Sequence, residues 1–204
     1  MTTHDWRSSV TEYIRREAQP PDKYGHQPRL YALARSIAAG ERLSYDDDIV
    51  FAAAWMHDLG VFLGHRPSDP DALAKWDHVP YTIARTRQLL AGWGFPPAKL
   101  DAVASAIRTH QPHDQPVEIE AILLHDADIL EQLGATGILR AVAKVGRDTR
   151  YESFSAVLPV LRRSLTDLPS LLRLKYAQLL AAQRVQALGT FLSAIDAEAG
   201  DLLY

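Results

Sequence analysis

Six residues of this chain have the types and placement for metal chemistry: His26, His57, Asp58, His78, His110 and Asp128. Neutral imidazole and ionised carboxylate together suit a divalent cation such as Mn, Fe, Zn, Ni or Mg, which polarises what it binds and lowers the pKa of a water. The chain has no cysteine, so a thiolate site, a thiol nucleophile and a disulfide framework are excluded. His26 shares a helical stripe with Leu30, Leu33 and Ile37, and His110 follows Val103, Ala106 and Ile107 on one face, so both rings are predicted to point inward. Buried imidazoles and carboxylates are costly unless paired, hydrogen-bonded or metal-bound, and a shared ion is one reason for several to converge. The neighbours His57 and Asp58 project about 100° apart on a helix, so they can serve one ion only at a helix end or kink, which Gly60 permits. Taken singly, an inward histidine is more often a satisfied core residue than a ligand. His65, His113 and His125 are read in that way, with His113 the first exception to consider.

The elements that must position these residues read as helices throughout. Apolar residues recur at helical spacing, and no run alternates in the manner of a strand. The fold class is therefore all-α. A first helix is predicted from Asp5 to Ala18, stopped by Pro20-Pro21, and a second from His26 to Gly40. A third starts after Ser44, whose side chain and the following Asp46, Asp47 and Asp48 suit a helix amino end, and runs into His57-Asp58. Val61 to Lys75 reads as a loop directly after that pair, where loops often shape substrate access. Further helices are predicted over Asp77–Ala91, Pro97–His110, Val117–Leu133, Ile138–Val145 and Tyr151–Ser164, then a long last helix from Pro169 to Ala199. The third of the chain that follows His125 carries no histidine, which suits scaffold, dimer surface or lid.

With 204 residues and 47% hydrophobic content, the chain is predicted to form one domain with its own core. A net charge of −3 gives no basic footprint for a nucleic-acid polymer, which favours a small-molecule partner. Met1 to Arg16 is polar and charged, and no later stretch reaches the roughly 18 apolar residues of a membrane span. The expectation is a cytoplasmic protein without membrane association. Apolar residues on the last helix suit either the monomer core or a homodimer. No GxGxxG or P-loop glycine motif is present, so a nucleotide would be substrate rather than cofactor.

The order His26, then Ala-Ala-Trp-Met-His57-Asp58-Leu-Gly, then a distant His-Asp126-Ala-Asp128-Ile-Leu resembles the HD superfamily of metal-dependent phosphohydrolases. His26-Gln27-Pro28-Arg29-Leu30 is similar to that family's opening helix, in which a ligand His precedes an Arg by three positions. Asp126 to Leu130 and Leu133-Gly-Ala-Thr-Gly-Ile138 resemble a segment of a small bacterial subgroup thought to hydrolyse nucleotides, and Arg184, Phe191 and Glu198 are similar to its tail. The chain differs from that subgroup in having Pro21 to Gly25 where a further His-Asp is usual, and Ile129 where Arg or Lys is usual.

The resemblance implies a single HD-type helical domain over 1–204, with a metal-binding core over about 20–135 and a C-terminal helical extension over about 136–204. It implies that His26, His57, Asp58 and Asp128 hold one divalent ion, and that Asp58 bridges to a second held by His78 and His110. His57 and Asp58 are then the catalytic pair. Asp128 is assigned as the ligand and Asp126 as the carboxylate supporting it from behind, although helical position alone does not decide, since Asp126 sits on the stripe of Ile122 and Leu130. The implied activity is hydrolysis of a small phosphorylated substrate, a nucleotide above all, by a metal-activated water. Arg66, in the loop after the motif, is the nearest cation for substrate oxygens, ahead of Lys75 and Arg108, while Arg29 suits a structural ion pair. Two rivals share the pattern: a di-iron oxygenase or a cyanamide-hydratase-like enzyme of the same superfamily, with Tyr24 beside His26, and a non-catalytic binding module.

Overall fold

In the computed structural model, which describes residues 5–147 and 151–204, ten helices and five short 3-10 turns carry the described chain, with no strand among those residues. The reading of the amino-terminal segment extends to residues 1–4, which lie outside the described ones. The chain packs as two compact units, 1–125 and 126–204.

The first unit is built around one helix, α3 (Asp47–Met56). From Ile49 to Met56 no residue exposes more than 8% of its surface. A helix that is apolar on every side belongs in a core, and α3 is packed by α1 (Trp6–Glu17), α2 (His26–Glu41) and α6 (Leu100–Arg108). Its amino end carries a charged clamp. Arg7 of α1 donates to Asp47 at 2.9 Å and to Asp48 at 2.7 Å, Lys99 reaches Asp48 at 2.7 Å, and the Asp46 N–H donates to Glu120 at 2.7 Å. Negative side chains suit a helix amino end, and this arrangement anchors α3 from both flanks. The cap itself is Asp46, whose side chain accepts the Asp48 N–H at 3.0 Å, rather than the expected Ser44. Asp lies immediately before the first helical residue, where its carboxylate is in reach, and Ser44 is two residues too early.

Other boundaries follow local chemistry. Asp5 caps α1, and Asp77 caps α5 (His78–Gly92) by accepting the Val79 N–H at 3.0 Å. Val61 to Lys75 is not loop throughout: Asp69 and Pro70 start a short helix, α4 (Pro70–Ala74), with the Ala72 N–H donating to Asp69 at 2.8 Å. Pro97–Lys99 forms a 3-10 turn, so α6 starts at Leu100 and ends two residues before His110. No described helix is long and apolar enough to cross a membrane.

The boundary between the units falls within α7 (Ile119–Glu131). The second unit continues with α8 (Gly134–Val142), α9 (Phe154–Asp167) and α10 (Lys175–Glu198). Its core is Val157, Leu161, Leu168, Leu172, Leu188 and Leu192. Helix α8 begins four residues earlier than its apolar pattern suggests because Gly134 takes φ +68, and a Cβ on Gly137 would lie 2.3 Å from the Gln132 carbonyl oxygen. The long final helix expected from Pro169 is interrupted. Leu168–Leu171 form a 3-10 turn, and Leu172 and Leu174 are extended before α10 starts. The cause is Asp126, fully buried, whose carboxylate accepts the Arg173 N–H at 3.1 Å and the Leu174 N–H at 2.8 Å.

Candidate metal centre

Each of the four histidines sits at a helix end in the first unit. His26 opens α2, His57 is the residue that ends α3, His78 opens α5, and His110 follows α6. After Met56 the backbone leaves the helix: Asp58 has φ −102 and ψ 12, and Leu59–Val61 form a 3-10 turn. This turn lets two adjacent residues face one point, which a straight helix forbids.

Asp58 is the centre of the arrangement. Its Oδ2 lies 3.6 Å from His57 Nε2 and 3.8 Å from His26 Nε2, while its Oδ1 lies 3.7 Å from His78 Nε2. Two ligand groups result, His26–His57–Asp58 and Asp58–His78–His110, and they share the one carboxylate. His26 and His57 are joined through their Nε2 atoms at 3.2 Å. Two nitrogens each about 2.1 Å from one ion, at 90–109° to each other, stand about 3.0–3.4 Å apart, so this pair fits a shared divalent cation. Asp58 oxygens are a few tenths of an ångström wider, within the reach of a χ adjustment.

The imidazole orientations are set from behind. His57 Nδ1 lies 3.0 Å from the Ala54 carbonyl and His110 Nδ1 lies 2.7 Å from the Ile107 carbonyl. A carbonyl can only accept, so both Nδ1 atoms carry the proton and both Nε2 atoms offer a lone pair to the site. His57 and His110 are buried, whereas a fifth of the Asp58 side chain and 17% of the His78 side chain remain exposed, so solvent reaches the shared carboxylate. Burial pushes the Asp58 carboxyl up, but His57, His26, His78 and His110 around it hold it well below the usual carboxylate range.

The segment after the pair is held closely. The Gly60 N–H donates to Thr82 Oγ1 at 2.9 Å, and Trp76 Nε1 donates to the Gly60 carbonyl at 2.9 Å. A Cβ at Gly60 would meet the His78 carbonyl oxygen at 2.8 Å and Thr82 Oγ1 at 2.9 Å. Gly60 therefore lets the His57-Asp58 turn approach the start of α5, and so sets the spacing between the two ligand groups. Thr82, Trp76 and the two carbonyls escape sequence reasoning. The only available signal is that Ala54 and Ile107 each precede a histidine by three residues.

The remaining candidates fall as follows. Asp128 and Asp126 belong to the second unit. There Gln132 Nε2 donates to Asp128 Oδ2 at 3.1 Å, and the Asp126 carboxylate is engaged by the Arg173 and Leu174 amides. Arg66 is half-buried in the turn after the motif, its N–H donating to the Phe62 carbonyl at 3.2 Å. His65 bonds Tyr81 Oη at 2.9 Å and Glu17 at 3.3 Å. His125 is buried, with Nε2 3.2 Å from the Pro112 carbonyl, and His113 is exposed.

With this geometry in place, the chain matches the HD-domain family model over residues 24–133, more than half its length. It belongs to the HD-domain family. No curated protein matches it. Among solved structures, Bacillus subtilis YpgQ is similar with a TM-score of 0.71 at 20% identity, covering 99% of this chain and 100% of that one. YpgQ in complex with ADP is similar at a TM-score of 0.68 and 20% identity, covering 96% of this chain and 99% of that one. An HD-superfamily hydrolase from Bacillus thuringiensis is similar at 0.67 and 18%, covering 97% and 98%. These likenesses establish a shared fold.

Proposed function

We propose that this protein is a metal-dependent phosphohydrolase that acts on a small phosphorylated substrate, a nucleotide foremost. The observation that carries the reading is the Asp58 carboxylate, whose two oxygens face two different histidine groups. His26, His57, Asp58 and Asp128 would hold one divalent ion, and Asp58, His78 and His110 a second. Asp128 is a proposal from the family match, which includes it and runs to residue 133, and one HD-type domain over 1–204 is proposed with it. Bound there, Mn, Fe, Zn, Ni or Mg would supply Lewis acidity toward a phosphoryl oxygen and a water of lowered pKa.

The chain's own contributions follow from its geometry. His57 and His110 hold their Nε2 lone pairs in fixed directions through the Ala54 and Ile107 carbonyls. Asp58, held well below the usual carboxylate range, can offer its two oxygens to cations on either side. Arg66, in the turn that follows, is assigned to the anionic oxygens of the substrate, and Asp126, two residues before Asp128 on α7, is assigned a supporting role behind it. The ADP complex of YpgQ, a structure of the same fold, supports a nucleotide as the substrate to try first. The test is phosphate release from a nucleotide panel with added Mn, with wild type beside Asp58→Asn. The reading predicts turnover in the wild type and a loss of about a hundredfold or more in the variant, since changing a group that merely orients such a ligand already costs about 10–100-fold. Oxygen-dependent turnover with bound iron and no phosphate release would overturn it in favour of the oxygenase.

A further inference from the structure

A cleft of about 480 Å³ lies in the first unit on the flank of the second ligand group. Asp77 and Val79, the residues on either side of His78, line it, as do Gln111, which follows His110, and Arg108, two residues before it. Because successive helical residues diverge by about 100°, the His78 imidazole can face Asp58 while its neighbours face the cleft. The cleft is thus lined by immediate sequence neighbours of both histidines. Its chemistry is mixed in a definite way. Val79 and Ile83 give an apolar wall, the Gln111 amide both donates and accepts, and Asp77 and Asp114 present carboxylates. Each carboxylate is oriented by a backbone amide, Asp77 by the Val79 N–H at 3.0 Å and Asp114 by the Gln111 N–H at 2.9 Å. The exposed Arg108 guanidinium adds the one cation lining the cleft.

An apolar wall beside oriented acceptors and an amide suits a ring that carries N–H or O–H donors, a base or a sugar, and does not suit a bare phosphate. We propose that this cleft receives the organic ring of the phosphorylated substrate, with Gln111 and Arg108 as its specificity-determining residues. The inference rests on the phosphohydrolase reading for the position of the phosphate, but the cleft's ligand can be tested without turnover. Both side chains are exposed, so Gln111→Ala and Arg108→Ala are expected to melt as the wild type does.

The experiment titrates ADP, ribose 5-phosphate and pyrophosphate into the wild type and both variants by calorimetry, with metal content measured alongside. Loss of one hydrogen bond to the ring weakens ADP by about tenfold, while pyrophosphate binding and metal content stay unchanged in Gln111→Ala. If ribose 5-phosphate weakens in parallel, the cleft holds the sugar; if only ADP weakens, it holds the base. Equal ADP affinity in all three proteins, or no ADP binding by the wild type at millimolar concentration, overturns the proposal. If phosphate release persists with unchanged KM in both variants, the hydrolase reading stands and the cleft is not its substrate site. If ADP binding weakens while no compound is hydrolysed, the cleft stands and the hydrolase reading falls.

Discussion

Gly60→Ala is predicted to destabilise the protein and to displace His78, because the added methyl has nowhere to go. A Cβ there meets the His78 carbonyl oxygen at 2.8 Å, Thr82 Oγ1 at 2.9 Å and His78 Cβ at 3.0 Å, whereas ordinary contact begins at 3.4 Å. About half an ångström must open between the His57-Asp58 turn and the first turn of α5, and the nearest atom is backbone carbonyl rather than a flexible side-chain tip. Strain of this kind in a packed region costs about 1–3 kcal/mol. For a chain of this length that lowers Tm by roughly 2–12 °C. Movement at His78 acts on the second ligand group alone, so metal at the His26–His57 group should survive while the other weakens. Thr82→Val serves as a control, since it removes the acceptor of the Gly60 N–H without adding bulk and should cost about 1 kcal/mol. Calorimetric melting of the three proteins, with metal content, decides the matter. A Gly60→Ala protein with the wild-type Tm and metal content would refute the reasoning that Gly60 sets the spacing.

Three further outcomes follow. Asp126→Ala leaves the part-buried Arg173 and Leu174 amides without their acceptor, and urea denaturation should show a loss of about 1 kcal/mol, with Asp126→Asn losing less because one oxygen remains. Lys99 and Arg7 hold the Asp48 carboxyl below its ordinary value. A folded pKa below the unfolded one contributes stability above about pH 4 that is lost as pH falls through the lower folded value. Asp48→Asn should therefore flatten the acid limb of the Tm–pH curve and leave its shape near pH 7 intact; an unchanged acid limb would show that the clamp at α3 is energetically silent. Arg66→Ala is expected to raise KM for phosphorylated substrates about tenfold with little change in kcat, and an unchanged KM would remove Arg66 from substrate binding.

The all-α class and most helices were legible because long apolar stripes and capping residues are local signals. α3 shows this directly, with three aspartates before a wholly apolar run into His57. Four histidines at helix ends were legible for the same reason. What was not legible depends on contacts distant in sequence. The break before α10 comes from Asp126, almost fifty residues away, and periodicity from Pro169 onward gives no sign of it. The cap at Asp46 rather than Ser44 turned on a two-residue register that composition leaves open. The early start of α8 depends on a glycine at positive φ and a close approach to a carbonyl, which become readable only with the backbone placed. Gly60 could be seen as a helix stop, yet its packing on His78 required the turn of Leu59–Val61 that brings α3 and α5 together.

The central claim is that Asp58 is shared between two metal-binding groups. Elemental analysis of protein stripped with chelator and reloaded with Mn tests it most directly, comparing the wild type with His78→Ala and Asp58→Asn. The account predicts two ions per chain in the wild type, one in His78→Ala and a severe loss of both in Asp58→Asn. A single ion in the wild type that His78→Ala leaves untouched would contradict it.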